Sequence, residues 1–269
     1  MPVTPGRYMR EQSAEDASRD AGRLANESKY TEFKMGCDEG NQFVCTALGE
    51  WWAMMRGDFV SAVNLYGPAC VAGRVPQACL NLGQLMTEGR PGVPRDAAAG
   101  GRALILGCEM GSAQACSEGG ALLVRGIGVG AAPTATDVVV SLSPTGPIAR
   151  AALLFRLGCD SGTSTTNAKN CGLLAALALS PRTAALAFGA TSPGDAELVA
   201  LLERACAGEH APSCIRLAQS HRRGLLGLVK DETRADAREV HALMLSGVGE
   251  KAAKAAVETK NAKRGQEGQ

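Results

Sequence analysis

Large apolar residues recur at one fixed distance along this chain, four positions before a cysteine. The five residues are Phe33, Tyr66, Leu104, Phe155 and Leu202. In an α-helix this spacing places the apolar side chain and the cysteine on the same face. Strand patterns are scarce, and the only short β-like run is VVVSL at residues 138–142. The pattern therefore predicts an all-α protein.

A second pattern, C-x-x-L-[GA], follows the other cysteine of most pairs. It occurs at Leu48-Gly49, Leu82-Gly83, Leu174-Ala175 and Leu217-Ala218, and the third unit has Gly119-Gly120 instead. Because glycine and alanine are small, two helices can approach each other closely at this position.

The cysteines themselves define a repeat. The ten form five pairs: Cys37/Cys45, Cys70/Cys79, Cys108/Cys116, Cys159/Cys171 and Cys206/Cys214. First members recur after 33, 38, 51 and 47 residues, a range that is typical of repeat architectures. Each unit is predicted to be a helix, a loop and a second helix that ends at a cysteine. The partner cysteine then lies in the first helix of the next unit.

Turn and cap signals agree with helical hairpins. A glycine follows the first cysteine by two or three positions and is predicted to adopt the left-handed conformation after a helix end: Gly40, Gly73, Gly111, Gly162 and Gly208. Four aspartates before second helices are predicted N-caps: Asp58, Asp96, Asp195 and Asp231. Insertions at residues 126–146 and 180–194 lengthen the third and fourth units.

These signals divide the chain into three predicted parts. Residues 1–27 form a polar, partly helical segment, residues 28–246 an α-solenoid of about five cysteine-paired units, and residues 247–269 a basic helix with a frayed tail. The tail carries Lys251, Lys254, Lys260, Lys263 and Arg264. We expect it to cap the solenoid, and a docking arm for an acidic partner or a membrane surface is the alternative.

The chemistry of the cysteines has three interpretations. Pairs eight or nine residues apart across a helical corner could form structural disulfides, which we favour. Buried reduced thiols, and metal or redox chemistry, remain open. Zinc knuckles need C-x₂₋₄-C, c-type haem needs C-x-x-C-H and dithiol redox catalysis needs C-x-x-C, and none of these motifs occurs. No resident metal or cofactor is predicted.

Composition narrows the classes of function. The 28 basic and 27 acidic residues give a net charge of +1, whereas nucleic-acid binding through phosphates needs a basic excess. No run of 18 uncharged apolar residues occurs, so a transmembrane segment is not expected. The first twenty residues lack an apolar signal core and are too acidic to be a transit peptide.

The frame of these repeats resembles a known family. The segment GCEMGSAQAC, which ends at Cys116, and the loop GRPGVPRD at residues 89–96 are similar to Sel1-like repeats. These are α-solenoids related to tetratricopeptide repeats. The resemblance covers residues 28–246 and implies a solenoid of helix–turn–helix units clipped by disulfides. Two cysteine-rich branches are known: secreted bacterial repeat proteins and a mitochondrial assembly factor of cytochrome c oxidase.

With no signal core at the N-terminus, we expect the mitochondrial branch. The resemblance then implies a non-enzymatic, protein-binding solenoid of the intermembrane space, trapped there by an oxidative import relay. Its partners would be respiratory-chain proteins, and it would assist cytochrome c oxidase assembly or be an accessory subunit. The alternatives are a thiol–disulfide or haem-handling protein and a cytosolic or secreted adaptor.

Four features are candidate sites beyond the disulfides. Trp51 is predicted to project outward as a partner contact, with Trp52 in the core. His210, between Cys206 and Cys214, could complete a metal site but is expected to be solvated on a turn. The wider pair Cys159/Cys171 is the candidate labile disulfide. The segment GIGVGA at residues 126–131 fits a dinucleotide motif but is expected to be a flexible loop.

Overall fold

The chain folds as a series of α-helices in the computed structural model, which describes residues 27–127 and 146–267. The described part of α1 covers residues 27–38. The helices that follow are α2 Gln42–Trp51, α3 Phe59–Val71, α4 Pro76–Glu88, α5 Ala97–Glu109, α6 Ala113–Val124, α7 Pro147–Asp160, α8 Thr165–Leu179, α9 Pro181–Phe188, α10 Asp195–Ala207, α11 Ala211–Arg223, α12 Glu232–Leu245 and α13 Glu250–Glu267.

Two short irregular turns extend this series. A π-helical turn, Trp52–Arg56, continues α2, and a 3₁₀ turn, Gly189–Thr191, follows α9. Helix α9 lies within the predicted insertion at residues 180–194, so that insertion adds a helix to the fourth hairpin.

The helices alternate between two roles. The first helices (α2, α4, α6, α8 and α11) carry the second cysteine of each pair, and the second helices (α3, α5, α7, α10 and α12) follow them. Each first helix packs against its own second helix, and each hairpin also packs against the next one along the chain. The predicted all-α solenoid is confirmed.

Five disulfides connect successive hairpins. They join the end of one second helix, or of α1, to the first turns of the next first helix: Cys37–Cys45, Cys70–Cys79, Cys108–Cys116, Cys159–Cys171 and Cys206–Cys214. No cysteine is free. The disulfides and the close helix packing therefore occur at the same junctions.

The recurring large and small residues meet within each hairpin. A Cβ atom added at Gly49 would lie 2.5 Å from Tyr66, one at Gly83 would lie 2.6 Å from Leu104, and one at Gly120 would lie 2.4 Å from Phe155. The small residue four positions after the second cysteine thus receives the large residue of the following helix. The Tyr66, Leu104 and Phe155 side chains are almost completely buried as a result.

The glycines after the first cysteines have two different roles. Gly40 and Gly111 adopt φ of +90° and +93°, as predicted. The prediction is wrong for Gly73, Gly162 and Gly208, because none of them has a positive φ. At two of these turns the next residue adopts the left-handed conformation instead, as Arg74 and Glu209 do.

Close packing explains two of these glycines. A Cβ atom at Gly73 would lie 2.6 Å from the Gln42 side chain, and one at Gly208 would lie 2.1 Å from Cβ of Ala168. Both contacts are with the preceding first helix. These two glycines are therefore needed where the end of a second helix contacts the first helix of its own hairpin.

Three of the four predicted N-caps are confirmed. The carboxylates of Asp58, Asp96 and Asp231 accept hydrogen bonds from backbone N–H groups in the first turns of α3, α5 and α12. The fourth prediction is wrong, because Gly194 is the N-cap of α10 and Asp195 is its first residue. There the acidic side chain faces the positive end of the helix dipole without capping it.

Helix α13 packs on the last hairpin through Ala253 and Val257, which are buried. This is the position expected for a capping helix. No single helix in the described ranges is long and apolar enough to cross a membrane, although the bent pair formed by Thr165–Leu179 and Pro181–Thr191 passes that test by length and composition.

Candidate interaction surface on the first helices

The first helices share a set of positions that are not buried in the hydrophobic core. These are the residues two before, two after and five after the second cysteine, and none of the fifteen is buried. We call them the first-helix face: Phe43, Ala47, Glu50; Gln77, Asn81, Gln84; Gln114, Glu118, Ala121; Lys169, Leu173, Ala176; Pro212, Arg216 and Gln219.

A row of amide and carboxylate side chains connects the first helices on this face. From α4, Nδ2 of Asn81 donates to Oε1 of Glu50 on α2 (2.8 Å), and Nε2 of Gln84 donates to Oε1 of Glu118 on α6 (2.8 Å). Within α4, Nε2 of Gln77 donates to Oδ1 of Asn81 (2.8 Å). Because α4 reaches both neighbours, the row spans three hairpins.

The row has a buried support under its N-terminal half. The Tyr66 ring packs on Gly49, and its side chain is within hydrogen-bonding reach of Asn81. Burial, and next the negative charge of Glu50, raise the pKa of Tyr66 far above its ordinary value, so the phenol stays neutral. A neutral hydroxyl can position the Asn81 amide without adding a charge to the surface.

A second buried amide links α8 to α6. Asn170 is fully buried, and its Nδ2 donates to the backbone oxygens of Ala113 (2.8 Å) and Thr166 (3.0 Å). Its Oδ1 has no hydrogen-bond partner. Asn170 therefore fixes the spacing of two first helices next to a disulfide.

The C-terminal end of the surface is basic. A cavity of about 310 Å³ lies between α11, α12 and α13, with Ile215 on its apolar side. Its charged lining is four basic residues against one acidic residue: Arg222, Arg223, Lys260, Arg264 and Glu239. Gln219 of the first-helix face also lines it. In the described part of the chain no salt bridge involves Arg223, which is exposed. This end of the surface therefore favours negatively charged groups.

The first-helix face is not among the features predicted from the sequence. A signal for it exists, since polar side chains recur at fixed offsets from the second cysteine: Gln77 and Gln114 two before, Asn81 and Glu118 two after, and Glu50 and Gln84 five after. The hydrogen bonds between helices need the packing geometry and could not be read from those offsets.

The prediction for Trp51 is wrong. Trp51 is 7% exposed, with the Tyr30 ring of α1 tilted against it (4.9 Å between ring centroids) and the Arg56 guanidinium 5.3 Å from its ring centroid. Trp52 is partly buried and packs on the core, as predicted. Helix α1 covers the side of α2 on which Trp51 lies. The large apolar residues that remain exposed directly after the two tryptophans are Met54 and Met55.

His210 does not lie free on a turn as expected. It is the N-cap residue of α11, it is half-buried, and its Nδ1 is 2.8 Å from Oγ of Ser213. Burial, with a smaller contribution from the charge of Lys169, lowers the pKa of His210. The histidine grouped with Cys206 and Cys214 is His241, on α12.

The Cys159–Cys171 disulfide lacks the access that a labile disulfide needs, because both cysteines are completely buried. Its wider spacing is occupied by a turn and a capping box, in which Ser164 and Asn167 cap α8. The thiol–disulfide enzyme interpretation therefore loses its candidate pair. Most of the segment at residues 126–131, and all of residues 138–142, lie outside the described residues.

Comparison with known proteins identifies the fold. A Sel1 repeat protein from Oxalobacter formigenes matches with a TM-score of 0.56 and 16% sequence identity, over 76% of this chain and 71% of that chain. The fold is the Sel1-like repeat solenoid. By sequence, no family model and no curated protein matches the chain.

A second Sel1-like structure aligns over more of the chain. The antigen c5321 of uropathogenic Escherichia coli strains, which displays an SLR fold, matches with a TM-score of 0.62 and 19% identity over 90% of this chain. The present chain spans about half of its length, 49%. The Sel1-like hairpins described above are thus also found in proteins with little sequence similarity.

Proposed function

We propose that this chain is a non-enzymatic Sel1-like solenoid that binds other proteins through its first-helix face. The observation that carries the proposal is the row of amide and carboxylate side chains across α2, α4 and α6. Side chains already held by neighbouring helices lose little conformational entropy when a ligand binds, so they favour binding.

The chemistry of the face indicates the kind of partner. Amides of Asn81 and Gln84 can exchange hydrogen bonds with the backbone of an extended segment, which offers both donors and acceptors. Arg223 at the C-terminal cavity attracts carboxylates, and Ile215 offers apolar contact. We therefore propose a partner with an extended segment that carries acidic residues at one end.

Substitution of the row tests this proposal. The double variant Asn81→Ala/Gln84→Ala removes two donors, and we expect partner affinity to fall about tenfold or more. The matched control, Arg102→Ala/Leu153→Ala, changes two exposed residues of the second helices α5 and α7. Quantitative mass spectrometry of affinity-purified, cross-linked complexes compares the three proteins. Equal recovery of partners by both variants would contradict the proposal.

We propose that the protein resides in the mitochondrial intermembrane space and that its partner is a respiratory-chain protein. It would assist the assembly of cytochrome c oxidase or be an accessory subunit of a respiratory complex. Two observations support this: the five disulfides, which persist in oxidising compartments, and the resemblance of the cysteine-paired repeats to the mitochondrial branch. Fractionation with thiol alkylation tests the compartment. Recovery from the cytosol with ten alkylatable thiols, or from the medium, contradicts it without affecting the proposed binding face.

A further inference from the structure

The last disulfide differs from the others in having a third metal-binding side chain beside it. The sulfurs of Cys206 and Cys214 and a ring nitrogen of His241 all lie within 4.8 Å of one another. These residues belong to α10, α11 and α12, so three successive helices contribute to the group. Within the described residues no other group of three or more potential ligands was found.

The repeat explains how His241 reaches this position. At the third junction the second helix α7 packs over the preceding disulfide, and the residue five positions before its own cysteine contacts a sulfur. The backbone oxygen of Leu154 lies 3.8 Å from Sγ of Cys108 in this way. In α12 the corresponding contact is made by Nη1 of Arg238, 3.8 Å from Sγ of Cys206.

Helix α12 has no cysteine of its own, and Leu243 occupies the position that corresponds to it. Leu243 lies twelve residues after the N-cap Asp231, just as Cys108 lies twelve residues after the N-cap Asp96. His241 lies two positions before Leu243. The other second helices have Pro68, Leu106, Leu157 and Arg204 two positions before their cysteines. None of these four side chains is an ordinary metal ligand, so the repeat provides a third ligand at the last junction alone.

We propose that, before the Cys206–Cys214 bond forms, the two reduced cysteines and His241 bind one Zn²⁺ ion. Zn²⁺ then replaces the two thiol protons, which pass to water, and accepts the lone pair of an imidazole nitrogen. Water occupies the fourth position.

The geometry is within reach of this coordination. With Zn–S of about 2.3 Å and Zn–N of about 2.0 Å, ligand atoms around tetrahedral zinc lie roughly 3.5–3.8 Å apart. The imidazole therefore has to approach by at most about 1 Å, while the two unbonded sulfurs lie further apart than in the disulfide. Two thiolates neutralise the metal charge, and the Arg238 guanidinium lies outside them as a hydrogen-bond donor to sulfur.

Cobalt titration of the full chain, reduced by a phosphine under argon, tests the proposal. Co²⁺ reports the ligands directly, since thiolate coordination gives a charge-transfer band and a tetrahedral site gives intense visible bands. We expect one tightly bound Co²⁺ per chain, displaced by Zn²⁺. His241→Ala should lower the affinity at least about tenfold, because loss of even an outer-shell partner costs that much at metal sites.

His210→Ala is the matched control. His210 lies between the two cysteines in sequence but outside the group, so its removal should leave cobalt binding unchanged. Equal binding by the parent and His241→Ala, or the absence of a thiolate band in the parent, would overturn the proposal. A reduced chain that was unfolded would bind metal through any of its cysteines, and it would therefore also show equal binding by the parent and His241→Ala.

Reoxidation gives a second, independent measurement. With glutathione disulfide as oxidant, equimolar Zn²⁺ should delay the Cys206–Cys214 bond relative to the other four, as followed by peptide mass mapping after alkylation. The delay should vanish in His241→Ala and persist in His210→Ala. A uniform delay of all five bonds, or none at all, would count against a specific site.

Discussion

At the scale of single residues, the fold depends on the small residue that each first helix places opposite a large one. Gly120 shows this most clearly, since an added Cβ atom would lie 2.4 Å from the Phe155 ring, which is 2% exposed. The contact is with a rigid ring in the core, so neither side can move away cheaply. The glycine is therefore required by packing, despite its low helix propensity.

Alanine at two helical glycines should shift the stability in opposite directions. Gly120→Ala forces Phe155 to move, and we expect the free energy of unfolding to fall by about 1–3 kcal/mol. Gly101 in α5 has only Cδ1 of Leu122 near an added Cβ atom, at an ordinary contact distance of 4.0 Å. Gly101→Ala should therefore raise the stability by about 0.5–1 kcal/mol, through helix propensity. Urea unfolding measures both variants, and a stabilised Gly120→Ala would contradict the packing argument.

Much of this residue-level packing could be predicted from the sequence. The large residue before each first cysteine and the small residue after each second one are local patterns, and the structure pairs them. Trp51 could not be predicted, because it is covered by Tyr30 of α1, a polar helix whose packing leaves no periodic signal. The packing role of Gly73 and Gly208 could not be predicted either, because the residues that they contact, Gln42 and Ala168, are distant in the sequence.

At the scale of elements, the end of the solenoid is held by charges where the other hairpins use apolar contacts. Glu239 stands four positions before Leu243, the place of the large apolar residue in the other units. Its carboxylate accepts from Nη1 of Arg222 (2.9 Å) and pairs with Lys260 of α13. Arg222 also pairs with Glu232 and Asp236. The charges thus connect α11, α12 and α13.

Removing the carboxylate charge of Glu239 should loosen α13. Glu239→Gln deprives Lys260 of its partner, and we expect hydrogen-exchange protection of the α13 amides near Ala253 and Val257 to fall about tenfold, or ~1.4 kcal/mol. The matched control is Glu250→Gln, which breaks the exposed pair with Lys254 within α13. That control should leave protection unchanged. Equal loss in both variants would mean that helix propensity, not docking, decides the exchange.

The same contact should depend on pH. Burial alone would raise the pKa of Glu239, but the hydrogen bond and charge of Lys260, followed by those of Arg222, outweigh it and leave the pKa below the ordinary 4.5. A carboxyl group with a lowered folded pKa contributes stability above its unfolded pKa, and the contribution disappears as the pH falls through the folded value. Protection of α13 in the parent should therefore fall as the pH falls below about 4.5, and in Glu239→Gln it should fall less.

At the scale of the whole molecule, the five disulfides differ in what surrounds them. A solenoid contacts only its neighbours, so the first junction is covered from one side only, whereas α12 and α13 continue the packing beyond the last junction. Cys37 is partly exposed and Cys45 is 6% exposed, whereas each of the other eight cysteines is at most 2% exposed. Reduction by an external thiol needs access to sulfur. Accessibility thus separates the first junction from the other four.

Limited reduction should therefore open Cys37–Cys45 first and leave the four inner disulfides, including Cys159–Cys171, intact. Both tryptophans of the chain lie at this junction, and Tyr30 of α1 covers them. Release of α1 should therefore shift the tryptophan emission to longer wavelength during the first reduction step, and later steps should leave it nearly unchanged. Alkylation and peptide mapping at increasing glutathione ratios identify the order, and Cys37→Ser/Cys45→Ser should show the shifted emission before any reductant is added. Reduction of an inner pair first, or an emission shift with Cys37–Cys45 still bonded, would refute the argument that position in the solenoid sets the order.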